Sequence, residues 1–574
     1  MMPTEDAIDC GAGVRLIRGR TMRTRDGIQL VSDHYLPPGG APAPTLMMRQ
    51  PYGRDIASTV VYAHPVWFAS HGYHVVIQDV RGRGDSEGDF YPFRYEAEDG
   101  FDAIQWAASL PESNGKVGMY GFSYQGLTQL LAATQHPPAL VAIAPAMTAA
   151  DLYHGWFYHG GLFRLASGIG WGTQMLRGDA IHAGLSSQSE KLERAWSSLV
   201  SSYTQAPYSS LAHLTAEGLP SYYRDWIEHD KPSEYWSQQD ISSRYGSIEI
   251  PALHISGWYD TYLQGSLDGF TALREQAGTE EARANQFLIA GPWQHIPWDR
   301  KIGEQDLGPE AVLDTDTILL RWFNHWLKKD GSFGSEPRVR VFSLGENKWR
   351  NISEWPPAPN ESKDISLFLG SAGKANSANG DGRLDRLKSE TSQKRDTLVV
   401  DPEVPVMASG GITASPGPFR QDRLEAGNNI LIYRSEPLER PIHVCGNPQL
   451  KVVISSSSPA CDVVVKLTRI DKQMQTWNIC LGAARSSALF PDELPPADVP
   501  TTWSIRLDGT SCVFDQGERI GLEIAGTAFP LLDRSSNRVD IPARNAGPQN
   551  WKRVTLQILH DDHFASELIL PTLV

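Results

Sequence analysis

Lys116-Val117-Gly118-Met119-Tyr120 is a short apolar run, and Gly121-Phe122-Ser123-Tyr124-Gln125-Gly126 follows it directly. Leu127, Leu130 and Leu131 then recur at helical spacing. A strand, a glycine-rich turn and a helix in immediate succession form the context of a nucleophile elbow, where a sharp turn lifts a serine oxygen above the carboxyl edge of a sheet. The spacing departs from G-x-S-x-G, because Gln125 holds the second place after the serine and the glycine comes at the third. On these residues alone the stretch is either a nucleophile or a glycine-rich turn with an incidental serine.

The surrounding chain has the same rhythm. Thr21 to Tyr35 reads as a hairpin with Asp26-Gly27 at its turn. Thr45 to Arg49, Tyr73 to Gln78 and Leu140 to Ile143 are short buried-type strands with helical stretches between them, which predicts a parallel, helix-covered sheet. From residue 148 to 247 aromatic and apolar residues recur at helical spacing, so a helical insertion over one edge of the sheet is expected. Strands resume at Ala252 to Ile255 and Gln286 to Ile289. An amphipathic helix is expected from Ala311 to Lys329, with Ile318, Trp322 and Trp326 on one face and Gly331 ending it. Past Trp355-Pro356-Pro357-Ala358-Pro359 the pattern becomes short alternating runs, such as Val463 to Ile470 and Arg519 to Ile524, that predict an all-β sandwich or jelly roll. Ser371 to Gln393, rich in Ser, Gly, Asn and Lys, reads as a surface excursion. There is no internal repeat.

Composition narrows the function. The chain has 574 residues, too many for one core, and carries 52 basic against 67 acidic side chains for a net charge of −15. That charge repels phosphate backbones and excludes nucleic acid as an expected partner. No apolar stretch is long enough to span a bilayer, and residues 1–13 lack the apolar run of a secretory signal, so no membrane partner is expected. Five cysteines with no CxxC spacing argue for reduced thiols and a cytoplasmic location.

A serine nucleophile needs a base, and the base an orienting acid. Asp260 stands just past the run Leu253 to Ile255, and His295 just past Leu288 to Ala290. Sixteen histidines make any one of them a weak choice, yet the order Ser, Asp, His at three strand ends is hard to produce by accident.

Arg49-Gln50-Pro51-Tyr52, Gln78 to Gly88, Asn114 to Gly126, Gly257 to Asp260, Gly291 to His295 and Ala528-Phe529-Pro530 with Asp533, Arg534 and Asn537 together carry a resemblance. Over nearly its whole length the chain resembles the cocaine esterase and X-prolyl dipeptidyl-peptidase-like hydrolases, whose elbow has the spacing found here. The resemblance implies an α/β-hydrolase core at 1–147 and 248–354, a helical cap insertion at 148–247 and a C-terminal jelly-roll domain at 355–574. It implies a triad of Ser123, Asp260 and His295. It further implies that the Tyr52 hydroxyl and the backbone N–H of Tyr124 stabilise the oxyanion, each worth roughly 3–4 kcal/mol. Trp156, Trp171 and Tyr262 are the expected pocket walls, suited to an aromatic or bulky apolar acyl group.

The implied reaction is hydrolysis of a small-molecule carboxylic ester or amide through an acyl-enzyme, with no cofactor and no metal. Two alternatives stand beside it. An X-prolyl or aminoacyl peptidase or acylase needs acids to hold an ammonium, but Thr261 follows Asp260 and no acids cluster at the motifs. A non-catalytic hydrolase-fold binding protein would be expected to lack a triad residue. After Gly410-Gly411 comes Ile412, not a bulky apolar cluster, which argues against cocaine as substrate. His560-Asp561-Asp562-His563 is read as a polar loop, not a metal site.

Overall fold

In the computed structural model, which describes residues 7–55, 59–388, 395–412 and 415–574, the apolar runs become one mixed sheet of eleven strands. The strands are β1 (Ile8–Asp9), β2 (Arg15–Arg23), β3 (Gln29–Leu36), β4 (Ala43–Gln50), β5 (His74–Asp79), β6 (Ser113–Phe122) and β7 (Leu140–Ala146), then β10 (Ala252–Tyr259), β11 (Gln286–Gln294), β12 (Val339–Ser343) and β13 (Lys348–Ile352). The hairpin strands β8 (Tyr158–His159) and β9 (Leu162–Phe163) lie apart from it. The helices that matter below are α1 (Glu96–Ser109), α2 (Tyr124–Ala133), α3 (Leu165–His182), α4 (Leu263–Gln276) and α5 (Thr315–Phe323).

The sheet order is β1-β2-β3-β5-β4-β6-β7-β10-β11-β12-β13. From β5 to β12 neighbours run parallel, while β2, β3 and β13 are antiparallel additions at the edges. The expected parallel sheet is thus the centre of a mixed one. Strands β4, β5 and β10 are buried at every position, as helix cover on both faces requires. Chain order reverses between β4 and β6, because β5 lies on one side of that pair and β7 on the other. Such a reversal leaves a crevice at the carboxyl ends of the two strands, the usual ligand position in an open α/β sheet.

The segment between β7 and β10 is mainly helical, with one departure from expectation. Its residues 158–163 form a hairpin because Gly160 and Gly161 take φ of 56° and 85°. A Cβ on Gly160 would stand 1.8 Å from the carbonyl oxygen of Ala483, and the Arg485 N–H donates to the Gly160 carbonyl at 2.8 Å. The hairpin is therefore seated directly on the β domain. Asp533 fastens the same junction. It accepts from the Phe163 N–H at 3.1 Å, the Tyr208 hydroxyl at 2.8 Å and Arg485 at 2.9 Å, and Arg485 also pairs with buried Asp462.

The β domain is a thirteen-stranded, almost wholly antiparallel sheet running from Ser362–Gly370 to Glu567–Leu573. Trp355, Leu507 and Cys445 share one core with Leu267 and Phe270 of α4, so the two sheets bury α4 between them.

Three local expectations need correction. The helix near residue 315 begins at Thr315, where Asp314 caps the Thr317 N–H, and Lys329, not Gly331, takes the left-handed closing position. Within Ser371 to Gln393, residues Arg383–Asp385 form a paired strand, and Ser371 and Ala375 are buried; residues 389–393 lie outside the described ones. His560 is buried, bonding Asp396 at 2.8 Å in a cluster with Ser371 and Tyr433, because the last two long strands enclose the loop. Among the described residues no helix is long and apolar enough to cross a membrane.

His34 and His74 are fully buried between the sheet and α1, joined Nδ1 to Nε2 at 2.9 Å. Burial, reinforced by the other imidazole and by Arg20, holds His34 well below the ordinary imidazole range, and burial brings His74 down to about 4. An imidazole depressed in the folded chain leaves the unfolded chain with more bound protons between about pH 4 and 6.5, so stability is intact above that window and lost as pH falls through it. At pH 5 His74 alone accounts for about 2 kcal/mol. The urea midpoint is expected to fall between pH 7.5 and pH 5, and His74→Gln to reduce that fall; equal falls in the two proteins would refute the assignment.

Candidate active site

Ser123 joins β6 to α2 with φ 60° and ψ −126°, a conformation that costs a non-glycine residue about 1–3 kcal/mol. Its neighbours explain why the turn survives. A Cβ on Gly121 would stand 2.5 Å from the Gln125 Cβ, and one on Gly126 would stand 2.8 Å from the Thr148 Cβ and 2.9 Å from the Ala146 carbonyl oxygen. The glycine at the third place after the serine is where α2 touches the end of β7. Gln125, at the second place, is buried and accepts the Phe122 N–H through its side chain at 3.2 Å. The unusual spacing has a packing reason.

Asp260 and His295 follow the adjacent parallel strands β10 and β11, whose register pairs Gly257 with Gly291 and Tyr259 with Gln294. A Cβ on Gly257 would lie 2.3 Å from the Trp293 carbonyl oxygen, so the glycine allows the two strand ends to close together. His295 Nδ1 lies 2.5 Å from Asp260 Oδ2, and Asp260 Oδ1 accepts the Tyr262 N–H at 2.8 Å. Asp260 is fully buried, and no described residue bonds His295 Nε2. Phe122, beside the serine, packs on the imidazole at 5.5 Å between ring centres, and Tyr262 meets it edge-on at 5.2 Å.

Tyr52 follows β4, across the crevice. Its N–H donates to the Gln50 side chain at 2.8 Å, and Gln50 in turn bonds Asp79. Arg54 clamps the same loop through Asp33 at 2.9 Å and Asp79 at 2.5 Å. The Tyr52 hydroxyl accepts the Trp171 indole N–H at 3.3 Å. Burial pushes the phenol up to about 12, so it stays a neutral donor at physiological pH. The Tyr124 N–H belongs to the first turn of α2, which leaves it outside the helical hydrogen-bond ladder.

The Tyr124 side chain donates to Glu96 at 2.7 Å and accepts the Phe93 N–H at 3.1 Å, and Glu96 pairs with Arg49 at 2.7 Å. Burial raises the Glu96 carboxyl.

The aromatic residues divide into a facing layer and a supporting layer. Tyr262 stands against His295, while Trp156 is almost completely buried and stacks behind Tyr262 at 3.9 Å. Trp171, partly exposed, stacks on Trp226 at 5.1 Å and an interplanar angle of 7°. Ile412 is buried against Leu162 and Leu531, and Thr413 and Ala414 lie outside the described residues. Among the described residues no cluster of three or more His, Cys, Asp or Glu side chains could hold a metal ion.

The expected site residues therefore converge on one crevice. Sequence reasoning missed the supports: Arg49, Glu96, Phe93, Trp226 and Trp298, whose indole donates to the His295 carbonyl at 3.1 Å. Arg49 and Gln78 belong to stretches the resemblance rests on, and their mutual bond at 2.9 Å gives those positions a physical task.

Comparison with known proteins agrees with this architecture. Residues 26–297 match the model of the X-Pro dipeptidyl-peptidase (S15 family), and residues 332–566 match its C-terminal non-catalytic domain. The cocaine esterase of Rhodococcus sp. (strain MB1 Bresler) is 30% identical over 95% of this chain and 96% of its own. Among solved structures, an aminopeptidase from a marine-sediment Thaumarchaeota archaeon superposes with a TM-score of 0.82 at 20% identity, over 100% of this chain and 99% of its own. An α-amino acid ester hydrolase does so at 0.79 and 21%, with the same coverage. The matches span both the sheet and the β domain, and the chain belongs to the cocaine esterase and X-Pro dipeptidyl-peptidase family of α/β-hydrolase-fold serine hydrolases.

Proposed function

We propose that Ser123, Asp260 and His295 form the catalytic triad of a hydrolase that cleaves a small carboxylic ester or amide with an aromatic or bulky apolar acyl group. The observation that carries this reading is the 2.5 Å bond between His295 Nδ1 and fully buried Asp260, which leaves Nε2 free on the side of the strained Ser123 turn.

In the reaction, the Ser123 hydroxyl turns its proton to His295 Nε2. The imidazole takes the proton as Oγ attacks the carbonyl carbon, and Asp260 steadies the resulting cation. The Tyr52 hydroxyl and the Tyr124 N–H donate to the oxyanion. His295 then protonates the leaving alcohol or amine, and water attacks the acyl-enzyme with the same residue as base. Tyr262 and Trp171, backed by Trp156 and Trp226, form the acyl wall. The domain division fits this chemistry, with a core at 1–147 and 248–354, a cap at 148–247 and a jelly roll at 355–574. Five unpaired cysteines, four of them buried, support a cytoplasmic home.

A fluorophosphonate is expected to label the purified protein stoichiometrically at Ser123, and Ser123→Ala to abolish both labelling and aryl-ester turnover. Folded protein that takes no label would remove the reading. Tyr52→Phe is expected to lower kcat by about 10²–10³ with little change in KM, the pattern for a bond made to the oxyanion alone. A kcat within twofold of wild type would exclude Tyr52 from that role.

A further inference from the structure

Away from the crevice, a cleft of about 730 Å³ opens where the cap, α4 and the β domain meet. None of Ser123, Asp260, His295 and Tyr52 lines it. His159, from the hairpin seated on the β domain, and Arg164, which follows that hairpin at the start of α3, form one wall, and Asp508 lies across from them on the β domain. Tyr245, Leu489 and Leu507 make the apolar part.

Arg164 is the anomaly. Its side chain is 1% exposed, yet it makes no hydrogen bond and no ion pair with any described residue, and its Nε and Nη1 are buried without acceptors. A buried guanidinium with nothing to accept its protons is costly, and folded proteins rarely leave one so. Its neighbours do not compensate. Asp508 acts on it electrostatically but forms no contact, and keeps its own Oδ2 unpartnered. Burial raises the Asp508 carboxyl to about 7, so near neutrality much of it is a protonated acid that can donate. His159 Nε2 is 3.9 Å from Asp508 Oδ1, too far for a hydrogen bond, and its Nδ1 is also unpartnered. Three buried polar groups at one cleft thus carry unsatisfied atoms, while the rim cation Arg506 is already paired with Asp268 at 2.8 Å.

We propose that this cleft is a second ligand site that takes a small organic carboxylate, its charged end on Arg164 and its apolar body along Tyr245, Leu489 and Leu507. A carboxylate supplies the missing counter-charge and several lone pairs, and the guanidinium binds it more strongly than a neutral carbonyl. The volume lies within the range of small-molecule sites. The cleft is distinct from the acyl pocket, although Arg164 lies near enough to Tyr262 and Asp260 for its charge to be felt there.

The test is calorimetric titration of 3-phenylpropionate into the full-length protein, with inorganic phosphate as the comparison anion, on wild type, Arg164→Gln and Ser487→Trp. Ser487 is an exposed residue of the cleft lining, apart from the buried cluster and the catalytic crevice, so the tryptophan narrows the cleft from its rim. Saturable binding of the carboxylate to wild type is expected, weakened at least tenfold in both variants, each shown folded by an unfolding midpoint no lower than that of wild type. If Arg164→Gln fails to fold, Ser487→Trp alone decides. No binding up to 10 mM (roughly a 3 kcal/mol threshold) would mean that water satisfies Arg164 and would overturn the proposal. So would binding that Ser487→Trp leaves intact, since the ligand would then sit elsewhere, and so would phosphate binding as tightly as the carboxylate.

Discussion

The left-handed turn at Ser123 sets the terms for the rest of the molecule. A serine at φ 60° is unfavourable by itself and persists only where the surroundings leave no relaxed alternative. Here the Ser123 N–H is bonded to Ala146 on the neighbouring strand, and its carbonyl accepts from Gly126 and Leu127. Gly126 in turn requires Thr148 and Ala146 at contact distance, so α2, β6 and β7 can assemble in only one way. Rigidity in this turn suits the role proposed for it, because Ser123 and the Tyr124 amide are fixed by the same few bonds.

A second constraint works through the β domain. Asp533 holds the start of the cap, Tyr208 and Arg485 together, and Arg485 reaches both Gly160 and Gly161. The helical segment between β7 and β10 is therefore positioned by a domain that supplies none of Ser123, Asp260 and His295. Breaking one member would leave buried charges uncompensated, which generally costs more than the intact network contributes.

The legible parts of the sequence were those in which a local rule fixes the outcome. Strand-end order placed Ser123, Asp260 and His295 at the ends of β6, β10 and β11, where the structure has them, and Asp26-Gly27 marked its hairpin because a turn with Gly27 at φ 89° admits few residues. The hairpin at residues 158–163 was not legible, because it exists only where Gly160 and Gly161 meet a β-domain strand more than 300 positions later. His560 looked like loop polarity because its partner Asp396 lies 164 residues away. Arg164 gave no signal at all: an arginine in an aromatic segment reads as surface, and only the fold reveals that nothing pairs with it.

Trp171 links pocket and chemistry in a way that neither motif suggests. Its ring face stacks on Trp226 while its edge donates to the Tyr52 hydroxyl. The bond occupies a lone pair of that oxygen and leaves its proton directed elsewhere. A tryptophan that served only as an apolar wall could be exchanged for another ring of similar size; one that also bonds the Tyr52 hydroxyl could not. In the proposed mechanism, acyl-group choice and oxyanion geometry are coupled through Trp171. An acyl group that displaces the Trp171 ring disturbs Tyr52 as well, so a poor fit in the pocket is felt in the transition state and not only in binding.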